Sequence, residues 1–267
     1  MKLDLEKRVE TYIKRRKRKK GATGPIKFSI ITPTLNEEKY IGTLLEALCN
    51  QTFKDFEVII IDANSKDKTE EEVLKFKDRL ALTFKRAVVK GVSPQRNYGA
   101  GLAKYDHLIF FDADVDPEPQ FLEKLASYII SKPADILTVY NKPISEKLVD
   151  EIIYWVHNRV FMEAIKHICP GAVGTFIYVK KSIFKKIHGF DEKLHFGEDF
   201  DLAKRIYDLG YKYVLLKNPE IRVSVRRFDK EGRSQMLWKE IKAIFLYTKK
   251  GGMNGLQDTI VHEFGKF

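Results

Sequence analysis

Between Lys27 and Phe111 the chain alternates short, almost wholly apolar runs with stretches of helical periodicity. Lys27 to Thr32 (KFSIIT), Glu57 to Ile61 (EVIII), Leu82 to Val89 and His107 to Phe111 (HLIFF) predict strands. Glu37 to Cys49 predicts a helix with Ile41, Leu44, Leu45 and Leu48 on one side; further helices are expected at Thr69 to Lys77 and Pro94 to Ala103. Strands that lack polar alternation are buried on both faces, and strands that alternate with helices form parallel sheets. The first 130 residues therefore predict a doubly wound α/β unit, with ligands bound beyond the carboxyl ends of the strands.

The second half is less regular. Glu146 to Ile168 reads as mostly helical, with a partial apolar stripe of Leu148, Ile152, Trp155 and Val156, and Cys169 to Gly174 breaks it. Thr175 to Val179 and Tyr213 to Leu216 predict strands, and Phe200 to Leu209 a helix ended by Gly210. Residues 236–248 predict an amphipathic helix with Leu237, Ile241, Ile244 and Phe245 on its apolar side. Residues 3–20 predict another, carrying Leu5, Val9, Tyr12 and Ile13. Three parts follow: a basic segment 1–24, an α/β domain 25–228 and a helical extension 229–267.

Composition changes this picture at one end only. The 267 residues are 44% hydrophobic, with 18 Phe and 12 Tyr, so a packed core is expected. The net charge of +11 includes the seven consecutive basic residues Lys14 to Lys20. A field confined to one segment argues for a solvated tail or a contact with anionic lipid, and against a nucleic-acid-binding face. Two cysteines are too few for a disulfide scaffold, and no apolar run is long enough to span a membrane. The expected setting is cytoplasmic, with the cytoplasmic membrane face as a peripheral docking option through residues 3–20.

Candidate chemistry gathers at predicted strand ends. Phe110-Phe111 runs into Asp112, Asp114 and Asp116 at alternate positions. Crowded carboxylates raise one another's pKa unless a cation neutralises them, and magnesium or manganese accepts such oxygens together with a diphosphate. A solvated acidic turn with Asp116-Pro117 as a helix cap is the plainer alternative. Asp62 ends another strand, suited either to a nucleobase or ribose contact or to an Asx-turn with Asn64 and Ser65. Glu198, Asp199 and Asp201 precede or open a helix, where acidic groups favour the dipole and where a general base is rigidly held. Arg205 is expected to pair with Asp201. Arg226 and Arg227 suit a diphosphate clamp. A nucleotidyltransferase would normally carry a glycine-rich loop after the first strand, and PTLNEE has no glycine. A non-catalytic binding module has no reason to retain mutually repelling carboxylates.

The order PTLNEE (33–38), IDANSKD (61–67), QRNYGA (95–100), FFDADVD (110–116), GFDE (189–192) and GEDFDLAKRIYDLG (197–210) resembles the family 2 nucleotide-sugar glycosyltransferases of GT-A fold. The resemblance covers about residues 26–228. It implies a sugar donor linked to UDP or GDP, bound by Pro33, Thr34, Asn36, Glu37, Asp62, Arg96, Asp112, Ala113, Asp114, Arg226 and Arg227. It implies a Mn or Mg ion at Asp112 and Asp114, with Asp116 as a third ligand, and makes Asp199, beside Glu198, the base of an inverting transfer. The acceptor is then a hydroxyl or a lipid-linked group; with a polyprenyl phosphate acceptor no base is needed. Asp62-Ala63 stands where an Asp-Asp pair is commoner. His188 and His195 are left outside the catalytic set, with His195 as a possible acceptor contact; Trp155 and Trp238 are read as core or interface.

Overall fold

The computed structural model describes residues 25–132, 134–166, 170–171, 174–194, 197–233 and 235. The expected helices at 3–20 and 236–248, together with Cys169, His195 and Trp238, lie outside the described residues.

β1 (Phe28–Thr34) and β2 (Phe56–Asp62) are buried along their whole lengths. Their side chains divide by parity. Phe28, Ile30, Val58 and Ile60 enter one core with Ile41, Leu44, Leu45 and Leu48 of α1 (Ile41–Cys49). Ile31, Ile59 and Ile61 enter a second core on the opposite face. This period of two, covered on both sides, is why the runs carry no polar alternation.

α2 (Thr69–Leu74) leads to the edge strand β3 (Leu82–Arg86), and α3 (Val92–Leu102) to β4 (His107–Phe111). β1, β2, β3 and β4 are mutually parallel in the order β3-β2-β1-β4. The strand expected to reach Val89 stops at Arg86, and Val88 is 98% exposed. α3 presses closely on the sheet: a Cβ on Gly99 would stand 2.4 Å from Ile31 Cγ2. That contact brings the first turns of α3 over the ends of β1 and β2.

The sheet then changes character. A short β5 (Val115–Pro117) follows β4, then α4 (Phe121–Ser131) and β6 (Ile136–Ile144). α5 (Leu148–Val156) passes through a π-helical stretch (His157–Met162) into α6 (Glu163–Ile165). β7 (Phe176–Lys180), α7 (Lys181–Lys186), α8 (Glu198–Asp208), β8 (Tyr213–Ser224) and α9 (Arg226–Glu231) follow among the described residues. Among the described residues the sheet runs β3-β2-β1-β4-β7-β6-β8-β5, with β7 and β5 antiparallel to their neighbours. The result is the expected mostly parallel α/β sheet. Asp116 does not cap a helix; it sits in β5, opposite Arg222 of β8. Trp155 is 57% exposed and belongs to no core.

Candidate functional site

Polar loops leave β1, β2 and β4 on one edge of the sheet. Beyond Pro33 and Thr34, Asn36 takes a left-handed backbone (φ 58). Its amide donates to Ser65 Oγ at 2.8 Å, and its Oδ1 accepts from the Lys66 amide at 2.9 Å. Asp62 is buried. Its Oδ2 accepts from Thr34 Oγ1 at 3.1 Å and from Ser65 Oγ, and its Oδ1 from the Ser65 amide at 2.9 Å. The Asp62 carboxylate thus closes a turn on Ser65. Gln95 adds a brace that the sequence did not signal. Its Nε2 donates to the carbonyls of Thr34, at 2.9 Å, and of Ile61, tying the two strand ends together from α3.

Two arginines organise the carboxylates. Arg96, its side chain 1% exposed, donates to Asp112 Oδ1 at 2.8 Å, Glu198 Oε1 at 3.0 Å and the Gly174 carbonyl at 3.0 Å, and its guanidinium lies 5.2 Å from the Phe190 ring. Burial alone would weaken its charge, but Asp112, Glu198 and Asp199 together hold its pKa above the ordinary value. Arg226 makes a two-pronged contact with Glu37, at 2.6 and 2.9 Å, over the Tyr40 ring at 4.4 Å. Its Nε lies 2.9 Å from Asp114 Oδ2, an ion pair whose angle is not that of a hydrogen bond. Here too burial opposes the charge, and Glu37, Asp114 and Asp112 more than offset it. The charge of Arg227 also acts on Asp114.

The carboxylates respond to this crowding. Burial lifts the pKa of Asp114 and of Glu37; Arg226 pulls both down, and neighbouring carboxylates push both up. Asp199, in the first turn of α8 after the left-handed Gly197 (φ 73), is raised most plainly. Its burial and the charge of Glu198 outweigh Arg96 and the backbone amides of Phe200 and Gly174. α8 begins at Glu198, two residues before the position expected from its apolar pattern, so both acidic groups ride on a fixed helix end.

Gly174 is the joint of the site. A Cβ there would lie 3.3 Å from Asp199 Oδ2, 3.6 Å from Asp112 Oδ2 and 3.1 Å from Arg96 Nη2. Asp112 and Asp199, 87 positions apart in the chain, therefore face each other across a residue with no side chain. The sequence offered only the Gly171-Ala172-Val173-Gly174 break as a signal of this joint. Of the two rings that lie under the guanidinia, Tyr40 carried no signal and Phe190 only that of the GFDE run (189–192).

Asp112 and Asp114 form a donor set that suits a divalent cation, because magnesium and manganese are commonly held by one or two carboxylates plus diphosphate oxygens. Among the described residues no group of three His, Cys, Asp or Glu side chains is placed to hold a metal. The expected convergence of three aspartates is not found: the Asp116 carboxylate is paired with Arg222. Asp201 pairs with Arg205 at 2.7 Å, as its spacing predicted, and Arg205 also donates to the carbonyls of Ile187 and Gly189. No described helix is long and apolar enough to cross a membrane.

Known proteins agree with this architecture. A glycosyltransferase of unassigned activity from Haemophilus influenzae is 30% identical over 67% of this chain and 61% of its own. The Staphylococcus aureus poly(ribitol-phosphate) β-N-acetylglucosaminyltransferase TarS is 31% identical over 48% of this chain and 23% of its own. The chain thus spans less than two thirds of the length of either relative. The crystal structure of TarS 1-349 with UDP superposes with a TM-score of 0.62 at 25% identity, over 75% of this chain and 61% of that one. The mannosyltransferase PcManGT from Pyrobaculum calidifontis, in complex with GDP-Man and Mn2+, shares the fold at a TM-score of 0.61 and 18% identity, over 82% and 65% of the two chains. The sequence model for glycosyl transferase family 2 matches residues 29–188, more than half of the chain. This protein belongs to glycosyl transferase family 2.

Proposed function

We propose that the protein transfers a glycosyl group, with inversion, from a nucleoside diphosphate sugar to an acceptor hydroxyl. The observation that carries this reading is the opposition of Asp199 and Asp112 across Gly174. In this reading Asp199 takes the acceptor proton and Asp112 lies on the side from which the diphosphate leaves. The relatives support the donor class, since TarS is seen with UDP and PcManGT with GDP-Man.

In this reading the loops after β1 and β2 hold the nucleoside, fixed by the Asp62–Ser65 turn and the Gln95 brace. The acceptor oxygen attacks the anomeric carbon from the face opposite the diphosphate. Its proton passes to Asp199, the new C–O bond forms, and the electron pair of the broken C–O bond stays on the diphosphate. Desolvation makes Asp199 a stronger base than an exposed aspartate, as a general base near neutral pH requires. Arg226 is placed to turn from Glu37 and Asp114 towards the growing negative charge. A Mn or Mg ion on Asp112 and Asp114 would supply Lewis-acid neutralisation of the leaving diphosphate.

The test is Asp199→Asn, assayed with UDP- and GDP-sugars against hydroxyl acceptors. Turnover should fall by about 10²-fold or more while donor binding survives. Unchanged turnover would move the acceptor class to a phosphate, which is ionised at neutral pH and needs no base. The NMR-assigned anomeric configuration of the product tests inversion directly, and a retained configuration would refute it.

A further inference from the structure

The π-helical stretch His157–Met162 is a rare winding of a kind that frequently accompanies functional sites. Its buried Asn158 reaches across to β6. Asn158 Oδ1 accepts from the Asn141 amide at 3.2 Å, and Asn158 Nδ2 donates to the Asn141 carbonyl at 2.7 Å. One side-chain amide thus satisfies both backbone polar groups of one residue, much as a neighbouring strand would. β7 does not serve there, because it pairs with β6 only at Ile136 and Leu137. Between Val139 and Asn141 the register of β6 against β8 shifts, and Tyr140 donates from its hydroxyl to Glu163 Oε1 at 2.7 Å. The two buried residues at the shift are therefore fastened to the π-helical stretch and to the turn that follows it.

Asn141 carries this hold into the site. It is 4% exposed, and its Oδ1 accepts from Thr175 Oγ1 at 3.0 Å. The carbonyl of Thr175 accepts from the Asp112 amide at 3.4 Å. Next to Thr175 is Gly174, whose amide donates to the Asp199 carboxylate and whose carbonyl accepts from Arg96 at 3.0 Å. Gly174 has no side chain by which it could be fixed. The Thr175–Asn141 hydrogen bond anchors the residue beside it.

We propose that Asn158, Asn141 and Thr175 are positioning residues for the transfer. Through them the π-helical stretch holds Gly174 with its amide on the Asp199 carboxylate, and so sets where that carboxylate meets the acceptor hydroxyl. They act through Gly174, and the proposal rests on the reading of Asp199 as the base. Proton transfer demands hydrogen-bond reach, and a misplacement of about 1 Å caused at a distance from the chemistry can cost about 10²-fold in rate. A loose anchor that still leaves Asp199 in the site should cost less, about tenfold.

Steady-state kinetics of Thr175→Val and Asn158→Leu, alone and combined with Asp199→Asn, tests the proposal. Each single variant should lower kcat by about tenfold while the KM for the donor stays within about twofold, the signature of an interaction needed only in the transition state. Thr175→Ser, which keeps the hydroxyl, should retain most of the turnover. In the Asp199→Asn background the cost of Thr175→Val should shrink to less than about twofold, because the group that it positions is gone. Asn158→Leu answers the same question should Thr175→Val fail to fold. Unchanged kcat in both single variants, a change confined to the donor KM, or a cost that persists in full beside Asp199→Asn would overturn the proposal. If Asp199→Asn itself turns over normally, the base reading fails and the proposal falls with it. A loss in Asp199→Asn beside normal turnover in Thr175→Val and Asn158→Leu removes the positioning role alone.

Discussion

The two halves of the site, one built on Arg96 and one on Arg226, use the same chemistry in opposite ways. Arg96 and Arg226 each gather two carboxylates and each lie over an aromatic ring, but Arg96 springs from α3, which is locked on the sheet by the Gly99 contact with Ile31. Arg226 springs from a six-residue helix at the far end of the domain, and its side chain is 12% exposed against 1% for Arg96. A guanidinium enclosed by its own fold holds the site together. One held mainly by its carboxylate partners can exchange them for a ligand. Arg96 is thus cast as scaffold and Arg226 as clamp.

The sharpest way to break this contrast is Arg96→Met. It strands Asp112 and Glu198 without their shared cation, and removing one partner from a buried ion pair costs roughly 3–5 kcal/mol. Chemical denaturation should register a loss of that size, and turnover should vanish with it. A loss below about 1 kcal/mol would remove the scaffold role. Arg226→Gln should weigh the other way: turnover falls by roughly 10²-fold, as when one transition-state donor is removed, and the loss of stability is smaller than in Arg96→Met. If Arg226→Gln unfolds the protein and Arg96→Met does not, the assignment is reversed.

Titration sharpens the same comparison. Asp199, Asp114 and Glu37 have folded-state pKa values above those of free carboxylates. The folded chain therefore holds these protons more tightly than the unfolded chain. Their contribution to stability is present below the unfolded values near pH 4 and is lost as pH rises through the raised ones. Melting temperature should decline over that window, and Asp199→Asn should flatten part of the decline. The activity limb assigned to Asp199 should rise over the same window and disappear in Asp199→Asn. A limb that persists in the variant would belong to another group. The smallest effect is expected at Arg222→Ala: the Asp116–Arg222 pair has a half-exposed arginine, so stability should change by less than about 1 kcal/mol and turnover hardly at all.

What the sequence disclosed follows from how each element is buried. β1, β2 and β4 were legible because both of their faces are covered, which leaves an unbroken apolar run as the only pattern they can have. α4 and β6 did not stand out, although α4 buries one face and β6 most of its length. α5 misled in the other direction: its stripe is real, but it faces outward, and periodicity reports that a helix is two-sided without saying which side meets the domain. Within the site, the acidic strand end and the Glu198-Asp199 helix start were visible as local motifs. Their convergence was not, because Arg96 reaches Glu198 across 102 positions and Arg226 reaches Glu37 across 189. The third aspartate was over-read, since alternate positions leaving a strand need not converge, and Asp116 instead found a cross-strand arginine.

The central claim is that Asp112 and Asp114 grip a nucleoside diphosphate through a divalent cation. Isothermal titration of UDP and GDP into the wild-type chain and into Asp114→Asn, with and without manganese, tests it most directly. The account predicts that one of the two nucleotides binds at least tenfold more tightly with manganese, and that Asp114→Asn abolishes this gain. Equal affinity with and without the ion, or a gain that survives in Asp114→Asn, would contradict it.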